Sequence, residues 1–261
     1  MLKPVKVSSK RERGLNTVVP EGELGLLSLD LLVLAPGESF SLSSKGIETA
    51  AVILSGDANA AVNGRDHRMK RESVFTETAS ALCLPFDGEA VFTAEKPTEI
   101  ALCKARASQK GEAFFVSPYM TREKTVGREN WERKVVDIIG ADAPATRLVV
   151  GETFNRPGCW SSFPPHKHDT VIPGAEVKME EIYLFRLNPS EGFGTQTIYG
   201  KEGSHSFQVK DYDAVTIPWG YHPVSAMPGY GLYYLWFLAG DGRVLMPNTD
   251  PEYKWLEAKY A

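Results

Sequence analysis

The feature that most constrains this chain is its punctuation. Short runs rich in β-branched and aromatic residues are interrupted, again and again, by turn-forming groups. In the first half the breaks are Pro36-Gly37-Glu38, Ser55-Gly56-Asp57, Asn63-Gly64, Asp87-Gly88 and Lys96-Pro97. Between them lie candidate strands at Leu26–Leu34, Phe40–Ser43, Glu48–Leu54, Ala58–Val62, Ser73–Glu77, Ala81–Pro85, Ala90–Ala94 and Thr98–Ala105. The second half repeats the pattern at Lys134–Ile139, Arg147–Val150, Glu181–Leu187, Gly194–Tyr199, His205–Val209, Ala214–Pro218 and Gly231–Leu238. Helical periodicity is confined to Pro251–Tyr260 and a turn near Arg128–Arg133. Strands this short and this evenly spaced predict an all-β sandwich or barrel.

A polar passage from Ser108 to Asn130 separates two halves of similar layout, and Phe114–Val116 within it reads as an exchanged strand. The expected organisation is an N-terminal barrel over 1–116, a linker over 117–132 and a C-terminal barrel over 133–261. At 261 residues each half is long enough to bury a core. A net charge of −4 lacks the basic excess of a nucleic-acid binder, and no apolar run approaches a bilayer span. The first residues carry no apolar signal-peptide core, and the three cysteines show no CxxC spacing. A reducing cytoplasm, no disulfide framework and no thiolate zinc site are expected.

Histidine is scarce and clustered. Four of the five histidines, His166, His168, His205 and His222, lie between positions 166 and 222. In an extended strand, i and i+2 share a face, so His166 and His168 in Pro164-Pro165-His166-Lys167-His168-Asp169 present two imidazoles together. Such a pair chelates a borderline divalent metal, or is simply two surface histidines on a polar loop. Glu180-Glu181 leads into the apolar strand Ile182-Tyr183-Leu184-Phe185, where a carboxylate is costly unless paired or metal-bound. Ile217-Pro218-Trp219-Gly220-Tyr221-His222-Pro223 delivers one more histidine from a turn. Three separate pieces of one His-His-acid-His set favour the metal reading. His67 stands apart beside Asp66 and Arg68 and is expected to be solvated; His205 is expected at the surface.

The HxH, Glu and Pro-x-Gly-x-His pieces resemble the metal motifs of cupins. The departures are a longer insertion, Asp169–Glu180, before the acid, Asn188 where a glycine is usual, and a second motif one residue tighter. These departures fit one branch. Trp160–Asp169, Glu180–Tyr183, Val215–Val224 and Pro228–Leu235 closely resemble the 5-deoxy-glucuronate isomerase family of myo-inositol catabolism. That family is related to the 4-deoxy-5-threo-hexosulose-uronate ketol-isomerase. The match covers roughly Gly151 to Gly240; the first half shares only its strand layout.

The resemblance implies a bicupin of two tandem double-stranded β-helix (jelly-roll) barrels, with the metal site in the second barrel alone. It places one divalent ion (Zn, Mn, Fe, Ni or Co) on His166, His168, Glu181 and His222, Glu181 being chosen because it directly precedes Ile-Tyr. It implies an aldose–ketose isomerisation of 5-deoxy-glucuronate to 2-deoxy-5-keto-gluconate. The alternatives are another metal-dependent cupin enzyme, such as an Fe(II) dioxygenase, and a non-catalytic sugar-acid-binding bicupin. The general base is not assigned: Glu180, Asp169 and a metal-bound hydroxide all remain. If Glu181 faces inward, Tyr183 does too, so it is a candidate substrate contact, with Gln196 a second. Lys167 is expected on the opposite face from its neighbours, and Arg186 at a surface or interface. The expected partner is a small-molecule sugar acid, with neither nucleic acid nor membrane, and the chain is expected to be a homo-oligomer because apolar edge strands invite pairing.

Overall fold

A computed structural model describes residues 2–240 and 242–259. Almost all regular structure is antiparallel strand, and among the described residues the one α-helix is Lys254–Lys259, preceded by a 3-10 turn at Pro251–Tyr253. The expected final helix is therefore present, with Tyr260 outside the described residues. The turn near Arg128–Arg133 is a 3-10 turn at Glu129–Trp131.

The chain divides into two compact units that do not follow a single cut. One consists of Met1–Val7, Glu123–Val136 and Glu152–Ala261; the other of Ser8–Arg122 and Asp137–Gly151. In the second of these, Glu48 shows what gathers the two segments. Its buried carboxylate accepts from the amides of Thr146 (2.5 Å), Arg147 (2.8 Å) and Leu148 (2.7 Å) and from the Thr146 hydroxyl (2.8 Å). That engagement also explains why the strand expected at Arg147–Val150 begins only at Val149 and runs to Asn155.

In the same unit, Glu48–Leu54 and Ala58–Val62 are not two strands but one, Ile47–Val62. Its first part pairs with Ala81–Leu84 and Thr98–Arg106, its last part with Arg65–Arg71 and Glu89–Ala94. The Ser55-Gly56-Asp57 signal marks a bulge instead of a turn. Gly56 has φ +105, and a Cβ there would stand 2.4 Å from the Pro97 carbonyl, so only glycine lets the strand bend past that backbone. The bend wraps one strand around a core of Leu32, Ile53, Met69, Leu82, Phe92 and Leu102.

Ser73–Glu77 is a turn, not a strand. The fully buried Arg71 donates to the carbonyls of Glu77 (2.9 Å), Ile53 (3.2 Å) and Val74 (3.4 Å), and the segment curls to supply them. The polar Arg65–Arg71 stretch is itself a strand, and places His67 half-buried against the Phe115 ring at 4.8 Å rather than in solvent. Phe114–Val116 is not exchanged. It pairs with Ala81–Leu84 of its own unit. Within the polar passage there is also a strand at Arg122–Val126.

The other unit carries the histidine motifs. Lys6–Ser8, Asp213–Ile217, Met179–Asn188 and Gly231–Gly240 are successive neighbours in one sheet. Trp160–Ser161, Val224–Ala226, Gly194–Gly200 and Gly203–Val209 form another, and His166–Lys167 pairs with Asn248–Thr249. The strand Met179–Asn188 is central: Glu181 stands opposite Ile217 on one side and Leu238 on the other. A strand buried on both sides reads as a nearly continuous apolar run, which is how Ile182–Leu187 appears.

Candidate metal centre

The barrel brings three of the four expected ligands to one point. Candidate ligand atoms of His168, Glu181 and His222 lie within 4.8 Å of one another, and all three residues are buried. Glu181 Oε2 is 3.1 Å from His168 Nε2 and 3.3 Å from His222 Nε2. His166 stands at the rim of this triad, its ring centroid 4.8 Å from that of His222 and 6.5 Å from that of His168.

The backbone sets the imidazoles. His168 Nδ1 lies 3.1 Å from the Met179 carbonyl and His222 Nδ1 2.8 Å from the Gly220 carbonyl. An Nδ1–H donated to each carbonyl leaves Nε2 as the inward lone pair, the tautomer a metal ligand needs. His222 Nε2 is buried and has no hydrogen-bond partner, because Glu181 approaches it off the bonding direction. An orphaned buried acceptor beside a second imidazole and a carboxylate fits a divalent ion of borderline softness.

Burial drives the His166 and His222 imidazoles down to a pKa of about 3, with the neighbouring imidazoles adding to the effect. For His168 burial also acts downward, but the hydrogen bond and charge of Glu181 outweigh it and its pKa rises. The sign for stability follows. Groups held below their unfolded value near 6.5 stabilise fully above that pH and lose the contribution as pH falls toward about 3. His168 works the other way, so two histidines oppose one. Metal-stripped protein is expected to lose thermal stability steadily from pH 6.5 to 4.5, and a His166→Leu/His222→Leu double variant to lose less over the same range. Equal slopes in a pH series of melting curves would refute the assignment.

The insertion Asp169–Glu180 has a structural role. Within it, Glu176 is buried, and its Oε1 accepts from the amides of Asp169 and Thr170 and from Lys167 Nζ, each at 2.8 Å. Its Oε2 accepts from Asn248 Nδ2 at 3.0 Å. Asp169 also pairs with Lys167 and accepts from the Gly220 amide at 2.7 Å, so the segment of His166 and His168 is tied to the turn that delivers His222. Lys167 thus points away from its two neighbours, as the alternation predicts. Asp169 is thus part of the hydrogen-bonded knot that holds the two histidine segments together.

Tyr183 does face the cluster. Its ring is 6.1 Å from His222 and stacks on Tyr234 at 4.4 Å, and its hydroxyl is 3.0 Å from Ser162 Oγ. Tyr234 joins this set of hydroxyls, 3.3 Å from Ser162 Oγ and donating to Ser161 Oγ at 2.8 Å. Burial, together with Glu181 and Tyr234, pushes the Tyr183 phenol well above its usual value, so it stays a proton donor. Gln196 is fully buried and donates to the His222 carbonyl at 2.9 Å, with its Oε1 unpartnered. Arg186 is paired with Asp211 at 2.8 Å and lies over the Tyr212 ring. His205 stacks on Phe207 and meets Trp219 edge-on, and takes no part in the cluster.

Sequence reasoning missed Glu176, Ser162 and Tyr234. For Tyr234 a signal existed: Gly231–Gly240 runs beside Met179–Asn188, and parity puts Leu238, Trp236 and Tyr234 opposite Glu181, Tyr183 and Phe185.

The profile of one protein family matches residues 2–256. The chain belongs to the KduI/IolB family. Among its relatives is the 5-deoxy-glucuronate isomerase of Geobacillus kaustophilus, 34% identical over 243 residues that make up 90% of this chain and 87% of that protein. The crystal structure of an IolB-like protein from Salmonella typhimurium LT2 superposes with a TM-score of 0.92 at 30% identity, covering 97% of this chain and 99% of that one. The oxalate decarboxylase of Lactobacillus farciminis has a TM-score of 0.69 at 14% identity over 99% of this chain and 91% of that one, a likeness of fold alone. Family membership and these neighbours establish the all-β bicupin, two tandem jelly-roll barrels.

Proposed function

We propose that this member of the KduI/IolB family is a metal-dependent aldose–ketose isomerase that converts 5-deoxy-glucuronate to 2-deoxy-5-keto-gluconate in myo-inositol catabolism. The observation that carries the reading is the convergence of His168, Glu181 and His222 in a chain 34% identical to a 5-deoxy-glucuronate isomerase. In this reading His166 completes the set as the fourth ligand of one Zn, Mn, Fe, Ni or Co ion. The N-terminal barrel over 1–116 holds no ion, the linker spans 117–132, and the chemistry belongs to 133–261.

When bound, the ion supplies Lewis-acid polarisation of the substrate carbonyl. The chain's own residues do the rest. Tyr183, kept protonated by burial and held by Ser162, donates to an oxygen on which negative charge builds. Gln196 fixes the His222 segment and offers its Oε1 to a substrate hydroxyl. The overall reaction moves a carbon-bound hydrogen from the hydroxyl-bearing carbon to the aldehyde carbon and needs no outside oxidant.

No helix of the described residues is long and apolar enough to cross a membrane. We place the enzyme in the cytoplasm as a homo-oligomer acting on a free sugar acid. Purified protein is expected to turn over 5-deoxy-glucuronate, to lose at least about 10²-fold of that rate on dialysis against a chelator, and to recover it on adding back one divalent ion per chain. Turnover indifferent to chelation, or oxygen consumption with a diol in place of isomerisation, would refute the reading.

A further inference from the structure

Arg133 opens the strand Arg133–Ile139 and is half-buried beside the metal cluster. One arm of its guanidinium is fixed: Nη1 donates to the carbonyls of Phe163 at 2.8 Å and Trp131 at 3.2 Å. Phe163 begins the Phe-Pro-Pro-His segment that leads into His166, so the fork is anchored to the same piece of chain as the first ligand. The backbone of Gly127 packs against this same tethered arm, where a Cβ would lie 2.8 Å from Nη1 and 2.3 Å from the Trp131 carbonyl. Its charge is felt at His166, Tyr183 and Tyr234, the groups lining the inner wall.

Among the basic side chains named around the cluster, Arg133 has no acidic partner among the described residues. Lys167 has Asp169 and Glu176, and Arg186 has Asp211. Arg133 bonds only carbonyls, and its Nε and Nη2 have no partner among the described residues. A cation drawn out of water without an acid is costly, and burial already pulls its pKa below the ordinary guanidinium value. A planar fork with one arm tethered and the other free is matched to a carboxylate in two-point contact.

We infer that Arg133 is the anion receptor of the site and binds the carboxylate of an acyclic or cyclic sugar acid whose carbonyl end lies at the His168–Glu181–His222 cluster. This rests on the function proposed above and names its specificity-determining residue. It also gives a reason for an acid substrate in place of a neutral sugar: without the carboxylate the arginine stays uncompensated.

The test uses full-length, metal-loaded protein and two probes, D-glucuronate and D-glucose, titrated calorimetrically. Wild type is expected to bind glucuronate at least 10-fold tighter than glucose. Arg133→Gln should erase that preference while its metal content, by mass spectrometry, stays equal to wild type; Arg133→Lys should restore only part of it, since lysine keeps the charge and loses the fork. For 5-deoxy-glucuronate, kcat/KM of Arg133→Gln should fall about 10²-fold, chiefly through KM. Equal binding of the two sugars by wild type, an unchanged preference in Arg133→Gln, or a variant that loses metal along with the preference would each overturn the inference. If glucuronate preference depends on Arg133 but 5-deoxy-glucuronate is not turned over, the anion receptor stands and the isomerase reading falls.

Discussion

Replacing His222 with alanine is expected to cost at least about 10³-fold in isomerase rate and to leave the protein unable to hold a stoichiometric ion. His222 is fully buried, its Nε2 has no other partner, and its inward lone pair is enforced by the Gly220 carbonyl. Glu181→Gln should behave alike, because an amide keeps the shape but loses the charge that offsets a divalent ion. The outer knot should behave differently. Glu176→Gln keeps the ligands and weakens their support, so metal affinity should drop by about 10–100-fold with the maximal rate of loaded enzyme nearly preserved. Metal titration beside steady-state kinetics separates these outcomes. A His222→Ala protein that retains metal and more than a tenth of the rate would remove it from the ligand set.

The second large effect concerns stability. Glu48→Ala should destabilise its unit by about 3–5 kcal/mol, a large part of the margin that holds a domain together. The deletion strands three backbone amides and one hydroxyl that now bond a single carboxylate whose residue is 1% exposed. Of these donors, the Leu148 amide is the one on a buried residue and is the costliest to leave without an acceptor. Glu48→Gln should lose less, because its carbonyl oxygen still accepts. Urea unfolding at fixed pH measures both, and a loss under 1 kcal/mol for alanine would show that the amides of Thr146–Leu148 find other partners.

These two residues mark the limits of what could be read from the chain. His222 stood out in the sequence because histidine is rare and sits in a recognisable turn, Pro218-Trp219-Gly220-Tyr221-His222. Glu48 gave no sign, being one acid among the 33 acidic residues, and its importance comes from a segment about a hundred positions away. The strand reading has the same character. The apolar runs read as strands at Leu26–Leu34 and Glu181–Leu187 are strands at Leu27–Leu34 and Met179–Asn188, because their β-branched and aromatic content is a property of the whole run. That reading divided Ile47–Val62 at Gly56, since a positive-φ glycine looks alike in a turn and in a bulge. It made a strand of Ser73–Glu77, where the buried charge of Arg71 overrules local β-propensity.

The sequence by itself determined the class of structure and picked out the candidate ligands: short runs with frequent turns predict an all-β chain, and two histidines at i, i+2 share a face when the chain is extended. The resemblance to the isomerase family, in turn, implied an acid substrate and with it a basic residue in the pocket. Tertiary structure alone decided which base that is. Lys167 and Arg186 look as suitable on paper, but acids from the insertion and from Asp211 neutralise them, and Arg133 is left with donors to spare. Local periodicity is set by neighbours in the chain, whereas charge compensation is set by neighbours in space, and only folding selects those.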